Sequence, residues 1–510
     1  MTAPEATSSE TPDNPVAPDH SVAIIGAGFG GLTMALELRR LGIEDFVIYD
    51  RLDGVGGTWR SNVYPGVGVD TPAHLYQYRD HMNPNWSRLF PKGPEVLAYI
   101  ERVYQENNLL PHVRPNCEVQ SRSWDDEHKL WKLRIDDRWV TARFVISAIG
   151  PLPEIKPPDL EGLDDYRGTV LQPASWDTSV DLTGKRVAVI GTGASAVQII
   201  PEIAPAVGQL TVYQRTPIWV TPKWDPAMPP WLNELFRRVP RVQRLLHESL
   251  DSMYSLTVMW VLHYQRTPRI GRMVTQWLDE FYRREIPNDE LRAKLLPTYT
   301  FPCKPVSPTN AYLQTFLRDN VDLTTDSIER ITENGIRTVD GTEREIDVLV
   351  LATGFRLYYD PQIYRDRPVT GRDGFDMAEF LEKQRTSTYH GYSVPGMPNS
   401  FTMFGDYGWT GGTYHIAAEV AATHIGRVLA EAERRDAIDV EVRQAAAEEW
   451  TAKTAALTPN SLFEGGTCDS TNTQYINHHG QSVFYRPVRT RRARADAQSF
   501  PLGDYIFAGR

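Results

Sequence analysis

Runs of apolar residues give way to helical spacing at two glycine-rich breaks in this chain, and those breaks place the main elements. Val22-Ala23-Ile24-Ile25 is continuously apolar, Gly26-Ala27-Gly28-Phe29-Gly30-Gly31 interrupts it, and apolar residues of Leu32-Thr33-Met34-Ala35-Leu36 then recur at helical spacing. The pattern predicts a strand, a tight turn and a helix. Phe46-Val47-Ile48-Tyr49 predicts the next strand, which ends in Asp50. The same order returns at Val187-Ala188-Val189-Ile190, Gly191-Thr192-Gly193-Ala194-Ser195-Ala196 and a helix carrying Val197, Ile200 and Ile203, followed by the strand Leu210-Thr211-Val212-Tyr213. Two more buried strands are predicted where Phe144-Val145-Ile146 and Val348-Leu349-Val350 run on toward Gly150 and Gly354. A helix is expected over 99–105, a hairpin over 117–135, and a helical stretch dense in Trp, Leu, Arg and Met over 224–297.

Strand, glycine turn and helix together define a dinucleotide site. Gly26 allows the turn, Gly28 lets the backbone approach a pyrophosphate, and Gly31 lets the helix pack close to the strand. The free N–H groups of the helix N-terminus then face a diphosphate, and the Asp50 carboxylate suits the two ribose hydroxyls of an adenosine. In the second unit Gly191 and Gly193 repeat the turn, Ser195 opens the helix, and Ala196 takes the third glycine position. Its strand ends in Gln214-Arg215-Thr216 rather than an acid. An acid repels a 2′-phosphate, whereas Arg215 and Thr216 can bind one, so this site is expected to prefer NADPH to NADH. The fold class is therefore α/β, with two doubly wound, Rossmann-like dinucleotide-binding domains and a helical insertion.

Composition narrows the setting. The 510 residues exceed what one core needs, and 54 basic against 65 acidic residues argue against a nucleic-acid partner. The best apolar run, 256–262, is too short to span a bilayer. Residues 1–20, rich in Pro, Ser, Thr, Asp and Glu, read as a disordered tail without the features of a signal peptide. Cys117, Cys303 and Cys468 are far apart and form no Cys-x-x-Cys pair. This spacing predicts a reducing cytoplasm, a Cys303 that acts as a small buried filler, and no redox dithiol of the disulfide-reductase kind. Oligomeric state has no signature in the chain.

Beyond the first turn come Gly56-Gly57-Thr58-Trp59, Tyr64-Pro65-Gly66, Asp70, Pro72, His74, Leu75 and Tyr76, and later Gln214-Arg215-Thr216-Pro217 and Ala352-Thr353-Gly354. On these residues the chain resembles the class B flavin monooxygenases, and within them the Baeyer–Villiger type, over nearly all of 21–505. The resemblance implies FAD and NADPH as cofactors and O2 with a small organic molecule as substrates. It places Gly57, Thr58, Trp59, Asp70 and Tyr76 against the flavin, Lys304 at the 2′-phosphate, and Thr353 and Gly354 where the chain crosses back to the flavin domain. It implies a discontinuous FAD domain of 21–150 and 345–510, a linker of 151–176, and an NADPH domain of 177–344 whose insertion, 224–297, roofs the site.

Two positions depart from the family pattern. Tyr166-Arg167-Gly168 to Trp176-Asp177 resembles the Baeyer–Villiger fingerprint Phe-x-Gly-x-x-x-His-x-x-x-Trp, with Tyr166 at the phenylalanine and Gln172 in place of the histidine. Counting back from Arg318-Asp319-Asn320-Val321 puts Lys304 on the family lysine and Pro305 on the family arginine. Loss of one preorganised donor of that kind costs about 10²–10³ in rate. Without the arginine, Asp70 is expected to lose its partner, to rise in pKa if buried, and to act as the catalytic acid or base; Arg79, His390 or His415 are candidates for the vacated charge. Baeyer–Villiger oxidation of a ketone to an ester or lactone ranks first. Heteroatom or carbon oxygenation through a flavin hydroperoxide, and a non-oxygenating oxidase or dehydrogenase, stand as alternatives.

Overall fold

The computed structural model describes residues 17–383, 388–465, 467–471 and 473–509. Strand β1 (His20–Ile25), helix α1 (Phe29–Arg40) and strand β2 (Phe46–Tyr49) form the first unit, and β3 (Arg138–Ser147) lies on the other side of β1. All three strands are parallel, with Val22 opposite both Phe46 and Phe144. The predicted hairpin is there as Val119–Asp125 and Leu130–Ile135, which continue antiparallel into β3. Val113–Arg114, Val369–Thr370 and Ser400–Thr402 complete an eight-stranded sheet.

The second sheet is wholly parallel and built from β4 (Thr169–Leu171), β5 (Arg186–Ile190), β6 (Gln209–Tyr213), β7 (Val321–Thr324) and β8 (Val348–Leu351), in the order β7-β6-β5-β8-β4. Helix α2 (Ala194–Ile203) follows β5. Both faces of such a sheet are covered, and its runs are accordingly apolar throughout: Val187, Ala188, Val189, Leu349 and Val350 are fully buried.

Two boundaries differ from the sequence expectation. β4 falls inside the expected linker of 151–176, and β8 inside the expected return to the first domain at 345, yet both pair in the second sheet. A three-residue edge strand is too short to show a pattern, and an apolar run toward glycine looks alike in either sheet. Directly after Thr353 and Gly354, Phe355–Arg356 pairs antiparallel with Glu154–Ile155. Of the expected tail, 1–16 lie outside the described residues, while His20 opens β1 and Asp19 accepts hydrogen bonds from the Thr141 N–H and hydroxyl at 2.8 Å each.

The 224–297 stretch is helical, chiefly α3 (Pro240–Leu262) and α4 (Pro268–Glu285). In the last third, α5 (Tyr414–Arg434) begins after Thr413 and packs along α1. The cysteine expectation is overturned: Cys303 and Cys468 form a disulfide across 165 positions, Cα to Cα 5.4 Å, leaving Cys117 as the free thiol. Linear spacing carries no trace of a pair that only the fold brings together, and the argument from cysteines to a reducing compartment falls with it. No helix among the described residues is long and apolar enough to cross a membrane.

Candidate active site

The two glycine turns are built for close approach. At Gly26 φ is +109°, and a Cβ there would lie 2.6 Å from the Ala148 carbonyl oxygen; at Gly31 it would lie 2.0 Å from that of Gly26. Helix α1 starts at Gly28 with no side chain capping it, and a Cβ on Gly57 would lie 2.8 Å from the Gly28 Cα. Backbone thus lines both walls of the first cradle, which leaves α1's N-terminal N–H groups for an anion. The second turn repeats this. Gly191 has φ +110° with Ala352 against it, and Gly193 opens α2 without a cap and with nothing within 4 Å of a Cβ.

Asp50 is buried at the end of β2, where Oδ2 accepts from the Ala27 N–H at 2.5 Å and Oδ1 from the Leu52 N–H at 2.8 Å. It holds the glycine turn in shape, and each carboxylate oxygen keeps a second lone pair for a ligand. Burial raises its pKa against the pull of those two N–H groups. Thr58 starts the short helix Thr58–Ser61, and the Trp59 indole N–H donates to the Tyr76 hydroxyl at 3.1 Å. Tyr76 meets Phe29 and His415 edge-on, and burial drives its pKa upward. The half-buried Gln172 opens the turn Pro173–Ser175, which packs on Thr58–Ser61.

One loop connects the two cradles. Gly66, φ +85°, lies against the Gln198 carbonyl of α2, the Tyr64 hydroxyl donates to the Gln198 Oε1 at 2.9 Å, and Ser195 sits beside that phenol. The Gln198 amide donates to the Gly68 carbonyl at 3.0 Å and reaches Asp70 Oδ1 at 3.5 Å. Asp70 is therefore held where the first unit's loop meets the second unit's helix.

The cation beside Asp70 is Lys223, at 3.9 Å from Oδ1, a residue to which sequence reasoning assigned no role. Its ammonium also donates to the Val69 carbonyl at 3.2 Å and lies 4.9 Å above the Phe90 ring. The three candidates for the missing arginine are elsewhere engaged. Arg79 pairs with Glu248 at 2.7 Å, and His390 and His415 are buried groups whose pKa values fall to about 3, so they are neutral. No signal near the motif points to Lys223; it follows the short strand Val220–Thr221, and only the tertiary fold turns it toward Asp70. Burial pushes Asp70 up to about 6, with Lys223 and the Gln198 amide opposing. Its side chain keeps 31 % of its accessibility, so it is crowded yet open on one side. Tyr254 of α3 lies within the field of Asp70 and packs on Gly412 just before α5, which brings the helical insertion over the carboxyl.

Arg215 is exposed after β6, and Lys304 is half-buried with its ammonium 5.7 Å above the Tyr299 ring. Burial and then Arg215 depress the Lys304 pKa, the mark of two cations sharing one space. Among the described residues neither has a carboxylate within 4.0 Å, which suits an incoming phosphate. Thr216 offers its carbonyl to the Thr192 hydroxyl at 2.7 Å, while Gln214 turns into the core toward the Lys294 carbonyl. Ala196 is buried under the turn. A cavity of about 470 Å³ walled by Trp219, Arg272 and Tyr299 adjoins this side, and Asp70 is not in its lining. Thr353 donates to the Lys156 carbonyl at 3.2 Å, and Gly354, φ +97°, turns the chain beside the crossing strands.

Two uncapped glycine-turn helices joined through one loop, with an acid and a cation where they meet, define a protein that brings two dinucleotides together. Residues 23–266 match the family model described as pyridine nucleotide-disulphide oxidoreductase. The chain is 36% identical to a Baeyer–Villiger monooxygenase of Pseudomonas aeruginosa over 97% of its own length and 93% of the relative's. It is 35% identical to a Baeyer–Villiger monooxygenase of Streptomyces coelicolor, over 95% and 92%. A cyclohexanone monooxygenase from Rhodococcus sp. Phi1, solved bound to NADP+, superposes with a TM-score of 0.84 at 26% identity, covering 96% of this chain and 99% of that one. The chain belongs to the Baeyer–Villiger monooxygenase family.

Proposed function

We propose that the protein uses NADPH and O2 to convert a ketone into an ester or lactone, with FAD as its resident cofactor; ketone, O2, NADPH and a proton become ester, NADP+ and water. The observation that carries this reading at the level of residues is the loop from Tyr64 to Asp70, which touches α2 of the second unit and presents Asp70 to Lys223. FAD, when bound, supplies the path by which electrons from NADPH reach O2. Gly26, Gly28 and Gly31 admit its diphosphate, Asp50 takes the adenosine ribose, and Gly57, Thr58, Trp59 and Tyr76 form the wall toward Asp70. Gly191, Gly193, Ser195 and Ala196 admit the NADPH diphosphate, Arg215, Thr216 and Lys304 take the 2′-phosphate, and Thr353 with Gly354 shapes the crossing between domains. The domain division follows the two sheets, with crossings at 154–155 and 355–356.

Asp70 is the residue we assign to proton handling. With a pKa of about 6 it is charged in most molecules at neutral pH but exchanges a proton readily. Lys223 keeps positive potential beside it in the role that Pro305 vacates. Lys223 also serves the Val69 carbonyl, and an ammonium lacks the guanidinium's rigid fork of donors. That weaker hold on an oxyanion favours a second reading, oxygen transfer to sulfur or nitrogen.

The test is turnover under 18O2 with NADPH, offered cyclic and linear ketones and an aryl sulfide in parallel. One labelled oxygen in an ester supports the first reading, and labelled sulfoxide with unreacted ketone the second. NADPH consumption that yields only hydrogen peroxide with every substrate refutes both.

A further inference from the structure

Helix α3 is turned inside out. Before its last turn, where Val261 and Leu262 are buried, the buried positions are Gln243, His247, Asp251 and Ser255, which recur every fourth residue and are all polar. They are satisfied inward: Gln243 donates to the Asn83 carbonyl at 2.6 Å, the His247 imidazole meets the His74 carbonyl at 3.0 Å, and Asp251 accepts from the Thr490 hydroxyl at 3.1 Å. The Ser255 hydroxyl accepts from the Thr490 N–H at 3.2 Å. Along the opposite stripe Val242, Leu245, Met253 and Leu256 stand exposed, Leu245 at 65 %, with the exposed Ser249 and Ser252 between them. A helix facing water shows the reverse pattern.

The next helix extends the feature. Ile270, Met273 and Trp277 fall on one stripe of α4 at i, i+3 and i+7, all exposed, Met273 at 68 %. Between positions 230 and 277 the chain carries seven arginines against three acids, although its net charge is −11. Arg241, Arg266, Arg269 and Arg272 are exposed, and among the described residues none of the four has a carboxylate within 4.0 Å. Leucine, methionine and tryptophan on one face with arginines beside them is the composition of helices that lie in a lipid interface. Arginine stems reach outward while their heads meet phosphate, and tryptophan rings sit at headgroup depth. A lipid surface also needs no matching shape on the other side, which a second copy of the chain would.

We propose that the outer faces of α3 and the start of α4 seat the protein peripherally on an anionic phospholipid surface. The apolar stripes enter the headgroup boundary and Arg241, Arg266 and Arg269 pair with lipid phosphate, while Arg272 faces the cavity beside Tyr299. The inward polar ladder then has a reason: it anchors to the body of the protein a helix whose apolar residues point out.

The experiment is vesicle flotation of the full-length, FAD-loaded protein with phosphatidylcholine vesicles, with and without phosphatidylglycerol, alongside sedimentation velocity without lipid. Two variants accompany it, Leu245→Glu/Met273→Glu and Arg241→Ser/Arg269→Ser, with far-UV circular dichroism and flavin absorbance confirming the fold. The protein is expected to float with anionic vesicles only. The glutamate variant should lose more than about tenfold in partition, since each large apolar side chain withdrawn from lipid is worth ~1.5–3 kcal/mol. The serine variant should fall by about tenfold or more at low salt, each arginine near the surface contributing ~1 kcal/mol. Absence of flotation with every vesicle, or flotation that both variants retain, overturns the proposal. So does a lipid-free dimer that the glutamate variant dissociates, which assigns the face to a second copy.

Discussion

Replacing Lys223 by methionine keeps most of the aliphatic stem and removes the ammonium that lies 3.9 Å from Asp70 and 4.9 Å above the Phe90 ring. At that distance two unit charges interact by about 4 kcal/mol at an effective dielectric of about 20 and about 1 kcal/mol in bulk water. The two side chains keep 19 % and 31 % of their accessibility, between those limits. The loss of Lys223 should therefore raise the Asp70 pKa by about 2 units, since one unit corresponds to about 1.4 kcal/mol. Starting from about 6, the carboxyl would titrate near pH ~8. At pH 7 it would pass from about one-tenth to about nine-tenths protonated. The assay is a pH titration of the protonated carboxyl band by infrared difference spectroscopy, with Asp70→Asn identifying the band, together with the pH profile of kcat/KM. The acid limb of that profile should move to higher pH by the same amount in Lys223→Met and stay near its original place in Lys223→Arg. A band that shifts by less than about 0.5 unit would refute the pairing, whatever happens to the rate.

Arg215→Ala should raise the KM for NADPH by about tenfold to a hundredfold, the worth of one charge-assisted phosphate contact, and leave the NADH value almost unchanged; equal effects on both nucleotides would remove Arg215 from the 2′-phosphate. Stability should fall on acidification. His74 and His415 are almost fully buried with pKa values lowered to about 4 and about 3 from 6.5, and that of His247 is lowered too. Below pH 6.5 the unfolded chain binds protons at these positions that the folded chain refuses, so each costs up to about 1.4 kcal/mol per pH unit until its folded pKa is reached. The buried carboxyls Asp70 and Glu419, raised to about 6 and about 7, offset part of this loss, and urea unfolding midpoints that rise between pH 7 and pH 5 would contradict the histidine burial. Alkylation of the denatured, unreduced protein should label Cys117 alone, and Cys303 and Cys468 only after reduction; labelling of all three without reductant would exclude the disulfide.

Much of the architecture lies in local chemistry that one dimension carries. Gly26, Gly31 and Gly191 are required by carbonyl groups that a Cβ would strike, and the strands before them are apolar because both faces of a parallel sheet are covered. Such constraints act within a few residues, so the two turns, their strands and the arginine after β6 are readable from the chain alone. Burial alone carries the rise of the Asp70 pKa; the expected loss of a partner does not hold, because Lys223 stands 3.9 Å away and opposes the rise.

What the tertiary structure alone decided concerns groups brought together from distant positions. β4 and β8 joined the second sheet because hydrogen-bond registry, which has no linear pattern, put them there. Cys303 met Cys468 across 165 positions. Lys223, not Arg79, His390 or His415, came to Asp70, because Coulomb energy depends on separation in space and the fold spent the alternatives elsewhere. The inverted face of α3 belongs here too: its sequence shows two stripes, polar and apolar, and only the packing of His74, Asn83 and Thr490 against the polar one reveals which side is out.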